Sequence, residues 1–569
     1  MPDRDAPAPA PTRRTWPGPR RLLAAGPLGA VFVLFFGLCF AASRTAAMIS
    51  DSANNALQAN DLLHGHFLLH GWIIGDATFY TFELPLYALT EAVVGFGPTA
   101  AHIEPALVYT ILAVFAAALA KGRATGVQAL VRVGVVLAVL AAPLDTGTTS
   151  ASYATSGFSG PVVLLEEPNH VGTSVFILAA FLLIDRAANR KATAWLLCAI
   201  LTAGQLGDAT IRYVAVGTIL LVCLTRLARQ RSLWTLRGLR SLRGPWSVRN
   251  LRSLRNPDAA FVLAAIASVP ASMLIRAALR ALGGFTMVPP VTTIAAPSTW
   301  PSHAVTAAHV VLKLFGVVAP HRFTPVAALC LALSVLALAA TLYGVAQTIK
   351  TALTPAAAPN SPTPTPDTAR TNQLLTTAIV ILPTAYALST LINLTSTREI
   401  AAVLPLGAAL AARHFPTRWA GWRPMLPALA AAALIPLVAG ATRPVAVPPA
   451  VALDQWLEAH HLTYGIAGYW EASSVTLQSE NRVRVRAVLA GDKIAAYNWE
   501  TKQSWYSPTG NDATFAIADP RDRPVDLPPA AVEAAYGKPT LTAMVDGFEI
   551  MVYPFNLLPK VTPAVPATA

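Results

Sequence analysis

The sequence predicts an α-helical polytopic membrane protein. We expect about eleven transmembrane helices, amphipathic helices in the first external loop and a C-terminal extracytoplasmic α/β domain. Three observations carry this. Of 569 residues, 54% are hydrophobic and only 12% charged, whereas a soluble globular chain carries about 25% charged residues, and the mean hydropathy is +0.50. Lys and Arg concentrate in alternate loops between the apolar runs. After residue 442 the composition turns polar and alternating. A cytosolic enzyme and a disordered chain are both excluded. The net charge of +13 would point to nucleic acid in a soluble protein, but its placement between spans reads as membrane orientation, so no nucleic-acid partner is expected.

A hydrocarbon core about 30 Å thick needs roughly 20 apolar helical residues. Runs bounded by charge or proline lie near 22–42, 105–120, 127–143, 171–185, 193–209, 211–225, 259–281, 325–348, 374–394, 400–413 and 424–442. The first reads as an uncleaved span rather than a signal peptide, because it exceeds a usual h-region. The arm 1–21 and the loops holding Lys121 and Arg123, Arg186 to Lys191, Lys350 and Arg370, and Arg413 to Arg423 are rich in positive charge, which assigns them to the cytoplasm. That leaves 43–104, 144–170, 282–324 and 395–399 outside and exports 443–569. The domain plan is a basic arm (1–21), a transmembrane domain (22–442) and the exported domain. Cys39, Cys198, Cys223 and Cys330 all fall in apolar runs, so neither a disulfide framework nor a zinc spacing is indicated.

Two cytoplasmic stretches stand out. Within 226–257, residues 234–245 are repeated at 246–257 with Arg237, Arg240, Arg243 and Arg249, Arg252, Arg255 every third position, a pattern suited to lying on an anionic leaflet. Within 349–372, Pro355, Pro359, Pro362, Pro364 and Pro366 mark a linker. In the exported domain, period two over 483–489 predicts a strand with one face in water. Further strands are expected near 494–499, 513–518 and 547–553, with helices near 453–460 and 529–536.

Chemistry is most legible in the first external loop. Ala53, Ala56, Leu57, Asn60 and Leu63 share a helical face, with Asp51 at the helix start, either as an N-cap or as a reactive carboxylate. Then come Gly71-Trp72, the segment Phe82-Glu83-Leu84-Pro85-Leu86-Tyr87, and Gly95-Phe96-Gly97-Pro98 leading into the second span. This order resembles the C-type glycosyltransferase superfamily, which includes protein O-mannosyltransferases and lipid A aminoarabinose transferases. Ser52 stands where many relatives have a second acidic residue, and Leu84 where many have another proline. The resemblance implies transfer of a sugar from a polyprenyl-phosphate donor to an envelope glycan or protein acceptor on the external face of a bacterial cytoplasmic membrane, with membrane lipids as the other partners. Asp51 would be the general base.

The departing phosphate needs cations, for which Arg212, Arg276, Arg322 and Arg398 are the candidates near the outer face. Arginine costs about 2.5 to 3.5 kcal/mol at the bilayer centre, so Arg212 needs a partner. Asp208, four residues earlier, can supply one on the same helix face. Glu166, Glu167 and His170 at the mouth of the fourth span are substrate-binding candidates together with Asp208. They could hold a divalent cation, though no metal ligand is assigned and no cofactor is required. Tyr469 and Trp470 offer rings on which a sugar can stack, or core packing. His64, His66 and His70 read as surface residues. The competing function is a non-catalytic cell-envelope membrane protein whose exported domain binds a glycan or protein. A transporter would show repeat symmetry and interrupted helix pairs, which the sequence lacks.

Overall fold

The computed structural model of the chain describes residues 19–145, 159–166, 170–187, 190–235, 256–289, 292–320, 322–353, 366–394, 397–416, 422–521 and 525–564. The duplicated arginine repeat, most of the Pro-rich linker and Glu167 lie outside the described residues.

Every apolar run falls on a helix. The first is α1 (Pro19–Ser43), and the external loop after it holds α2 (Ser50–Leu63) and α3 (Glu83–Val94). Next come α4 (Pro98–Lys121), α5 (Gly126–Ala141), the short α6 (Gly160–Leu165), α7 (Val171–Asp185) and α8 (Arg190–Gly207). A π-helical segment, Arg212–Gly217, leads into α9 (Thr218–Thr235), followed by α10 (Pro257–Ala281), α11 (Trp300–Leu314), α12 (Pro325–Leu353), α13 (Pro366–Ala387), α14 (Val403–His414) and α15 (Trp422–Ala441). Among the described residues six stretches are long and apolar enough to cross a membrane: Gly26–Ser43, Pro98–Lys121, Gly126–Leu144, Pro257–Ala281, Pro325–Leu353 and Pro424–Ala441. The expected span near 400–413 holds α14, 12 residues long. Its residues from Val403 to Ala412 are all buried, against α4, α5, α12 and α13. It is a central helix of the bundle, running from the turn that holds Arg398 on Asp51 to Arg413, which donates to the Leu119 carbonyl at 2.8 Å.

In the first loop α2 and α3 pack on each other. α2 buries Ala53, Ala56 and Ala59 with Tyr87 and Ala101; Ala53 and Ala56 lie on the expected face, whereas Leu63, also expected there, is exposed. Gly95 and Gly97 take φ of 85° and 154°, backbone that side-chain-bearing residues rarely adopt, and turn the chain into α4 at Pro98.

The C-terminal domain, expected to be exported, contains α16 (Pro449–Ala459), α17 (Tyr469–Gln478) and α18 (Pro529–Tyr536). Its sheet has strand order β5-β4-β3-β7-β9-β8, where β3 is Tyr464–Ala467, β4 Arg484–Leu489, β5 Ala495–Ala496, β7 Phe515–Ala518, β8 Leu541–Val545 and β9 Phe548–Val552. β4, β3 and β7 run parallel, and the remaining pairs are antiparallel. The expectation that one face of β4 is wet fails. Arg486 is 4% exposed, with its guanidinium 4.1 Å from the Trp505 ring centroid, because a cation over an aromatic face can be buried where a bare one cannot.

Two contacts fasten this domain to the bundle. A small sheet pairs β1 (Trp72–Ile74) with β2 (Thr286–Met287) and with β6 (Thr501–Lys502) of the exported domain. Beside it Asp61 accepts from Trp72 Nε1 at 2.7 Å and from Lys502 Nζ at 2.6 Å. The second contact is α17 lying on α2, where Ser473 donates to Asn54 Oδ1 at 2.6 Å and Ser50 donates to the Trp470 carbonyl at 3.0 Å.

Candidate active site

The residue preceding α2 is Ile49, which supplies no side-chain cap, so Asp51 is not an N-cap. Its carboxylate turns away from the helix terminus and is 18% exposed. Oδ2 accepts from Arg398 Nη1 at 3.2 Å, and Oδ1 accepts from the Tyr469 hydroxyl. Arg398 belongs to a 3-10 turn, Thr397–Ile400, between α13 and α14. Its neighbour Glu399 is no mere local partner: Oε2 lies 3.3 Å from His170 Nε2, and Oε1 lies 3.8 Å from Arg398 Nε. His170 Nδ1 is 2.6 Å from Asp208 Oδ2. Asp208 also accepts from the Thr173 hydroxyl and, at 2.7 Å, from the Thr210 N–H.

Asp51, Arg398, Glu399, His170 and Asp208 therefore form one chain of alternating charge. It spans the start of α2, the 3-10 turn, the entry to α7 and the break after α8. His170 reaches it from a left-handed backbone, φ 55°, immediately before α7. The break after Gly207 also overturns the expected Asp208–Arg212 pairing. The helix does not run on between them, and Asp208 faces His170.

The electrostatics follow from burial and neighbours. Burial alone favours a neutral imidazole at His170, but Asp208 and Glu399 outweigh it and hold its pKa well above the ordinary value. Burial opposes ionisation of Asp208 and Glu399 in turn. His170 and its hydrogen bonds prevail, so both carboxyls titrate below their usual range. Asp76 goes the other way: burial raises it, Glu399 and Asp208 add to the rise, and His170 partly offsets it. Tyr469 is raised by burial and by the charges of Asp51 and Glu500, so it remains a hydrogen-bond donor. Beneath this chain Glu83, in the first turn of α3, is 2% exposed. Burial, with a contribution from Asp208, pushes it up to about 8.

These groups surround a polar pocket of about 80 Å³ lined by Asp51, Asn55, Asp76, Ala77, Phe79, His170, Arg398, Glu399, Trp499 and Glu500. Two of its walls, Trp499 and Glu500, come from the exported domain. The arrangement can take a proton at Asp51, offer hydrogen-bond partners to a hydroxyl-bearing ligand, and present one guanidinium.

Of the candidates read from the sequence, the structure brings Asp51, Arg398, His170 and Asp208 together. Tyr469 is 3% exposed and bonds Asp51 instead of offering its face to a sugar. Trp470 stands edge-on to Tyr469 with centroids 5.1 Å apart, outside the pocket lining. Glu166 is buried away from the pocket, its backbone carbonyl accepting from Ser52 Oγ at 3.0 Å. Arg212 and Arg276 line a different cleft, and Arg322 is exposed beyond both. The sequence reading missed Asp76 and Glu500. Asp76 lies in a Gly-Asp-Ala stretch with no periodicity to mark it. Glu471, Asp519 and Asp526 of the exported domain have ligand atoms within 4.8 Å of one another and are all buried. They are the metal-like grouping among the described residues, and Asp519 accepts from Arg521 Nε at 2.8 Å.

No protein-family model and no curated protein matches the chain. Solved structures do. ArnT from Cupriavidus metallidurans bound to undecaprenyl phosphate is similar with a TM-score of 0.53 at 11% identity, covering 93% of this chain and 98% of that one. Its apo form is similar with a TM-score of 0.52 at the same identity and coverage. The likeness covers both the helical bundle and the C-terminal domain, and the chain thus shares the multi-pass membrane fold of ArnT.

Proposed function

We propose that the protein transfers a sugar from a polyprenyl-phosphate donor to an acceptor hydroxyl on the side of the exported domain, with Asp51 as general base. The observation that carries this is the convergence of Asp51 and Arg398 with the His170 cluster in one polar pocket, within a fold whose ArnT representative holds undecaprenyl phosphate. The acceptor oxygen attacks the anomeric carbon and its proton passes to Asp51. The bond from that carbon to the phosphate oxygen breaks, and the electron pair leaves on the polyprenyl phosphate. Arg398, bonded to Asp51 before substrate enters, exchanges that partner for the developing phosphate charge. Its release frees one Asp51 oxygen for the proton. Glu399, His170 and Asp208 hold the 3-10 turn in place while it does so.

The reading carries a location with it: a bacterial cytoplasmic membrane, N-terminus inside and residues 443–569 outside. Purified protein supplied with a panel of undecaprenyl-phosphate sugars is expected to release undecaprenyl phosphate from one of them. One observation favours a non-catalytic envelope protein instead, namely that both Asp51 oxygens are engaged. Absence of release across the panel, with glycan binding retained by the exported domain, would support that alternative.

A further inference from the structure

The C-terminal domain reaches the Asp51 pocket through one short arch. β5 ends at Ala496 and β6 begins at Thr501, and the stretch between them supplies two walls of the pocket, Trp499 and Glu500. Both ends of the arch are tied down. The Ala496 N–H donates to the Thr562 carbonyl at 2.9 Å and the Tyr497 N–H to the Ala487 carbonyl at 3.1 Å, while Thr501 and Lys502 pair with Ile73 and Trp72 of the first loop. Gly75 makes room for the crossing, since a Cβ there would stand 2.9 Å from Trp499 Cζ2. The Tyr497 ring tilts against Tyr469 with centroids 5.2 Å apart, and Tyr469 donates to Asp51.

Glu500 sits in left-handed backbone, φ 47°, a conformation that is costly for a residue with a side chain. Phe79 at 51° and His170 at 55° share it, and both also line the pocket. Strain gathered around one cavity points to a geometry maintained for a ligand. The two residues of the arch match one ligand chemistry. The Glu500 carboxylate, 7% exposed, accepts hydrogen bonds and donates none when ionised. The half-buried Trp499 ring beside it offers an apolar face. A sugar presents both complements, hydroxyls along its edge and C–H groups on its face. In the transfer reading Asp51 takes the proton and Arg398 the departing phosphate, which leaves the arch for the molecule that receives the sugar.

We propose that Trp499 and Glu500 form the acceptor subsite and hold a sugar unit of a glycan. Glu500 accepts from a hydroxyl next to the one that attacks, and Trp499 packs against the ring face. The acceptor role rests on the transfer reading, whereas the sugar binding does not. The C-terminal domain thereby selects the acceptor, while the first loop and the bundle supply the groups that react.

The test is binding of methyl glucoside, methyl mannoside and methyl galactoside to the full chain in detergent, read by saturation-transfer NMR. Tetrahydropyranyl methanol is the single-hydroxyl control. At least one glycoside is expected to bind about tenfold or more tightly than the control, and Glu500→Gln should weaken it about tenfold. Glu500→Gly removes the carboxylate and relieves the backbone, so binding should be lost with the thermal midpoint unchanged or raised. Arg280→Gln, in the separate cleft lined by Arg212, Arg276 and Arg280, should keep binding. No preference for any glycoside over the control would overturn the proposal, as would binding indifferent to Glu500→Gln. A fall in the Glu500→Gly midpoint would show a packing role instead. Release of undecaprenyl phosphate from a lipid-linked sugar separates the two readings. Release by a protein whose glycoside binding ignores Glu500 removes the subsite alone. Glycoside binding that depends on Glu500, without release from any donor, upholds the sugar site and removes the transfer reading.

Discussion

The Asp51 pocket and the arginine cleft lie at the same end of the bundle, and Asp208 and Arg212 stand four residues apart in sequence, yet their charges are arranged on opposite lines. In the pocket each cation has a carboxylate: Arg398 has Asp51 and Glu399, and His170 has Asp208 and Glu399. In the cleft three arginines face one another with no carboxylate among the described residues. The pocket must therefore exchange a partner to accept an anion, while the cleft need not. Breaking a pair should accordingly injure the first region and not the second.

The largest effect is expected at the innermost pair. Asp208→Asn leaves a buried imidazole with Glu399 alone and should cost about 3 to 5 kcal/mol of stability, measured by unfolding in detergent. A loss under about 1 kcal/mol would show that the alternating chain does not hold the pocket. Arg398→Gln should lower turnover about 10²-fold or more with little change in thermal midpoint. Arg276→Gln, which relieves repulsion, should leave the midpoint unchanged or raise it. Equal destabilisation by Asp208→Asn and Arg276→Gln would erase the contrast between the regions.

Smaller effects refine it. Tyr469→Phe removes a hydrogen bond to a charged carboxylate, worth about 1.5 to 3 kcal/mol, and should reduce turnover while Tyr469→Ala additionally loosens α17 from α2. Glu83, pushed up to about 8 by burial, keeps its proton in the folded protein at pH values where the unfolded chain has lost it. Its contribution to stability is complete below about 4.5, falls as pH rises towards 8 and is gone above that, with a slope of at most about 1.4 kcal/mol per pH unit. Glu83→Gln should flatten that decline. Glu91, also raised by burial to about 8, should preserve part of it.

Much of this architecture was legible in the sequence because membranes impose a length scale. The apolar runs and the helix at Asp51 appear where residue type and spacing place them, and the Pro85 helix and the Gly95–Pro98 turn where the family resemblance implies them. The misses in the C-terminal domain come from burial inside protein. β3 and α17 were not foreseen because Tyr464 to Ala467 are all buried, and a strand covered on both faces loses the alternation that marks strands. In the site, Asp51 was found through its position after the first span and Arg398 through its place near the outer face. Their meeting was not foreseeable, since they lie 347 residues apart. Trp499 and Glu500 reach the pocket only because the exported domain folds back over the first loop.

Release of undecaprenyl phosphate from a lipid-linked sugar, compared for wild type and Asp51→Asn at equal folded amounts, tests the account most directly. A fall of about 10² to 10⁴-fold is expected for a lost general base, with donor retention unchanged. Equal release by the two proteins would contradict the role assigned to that carboxylate.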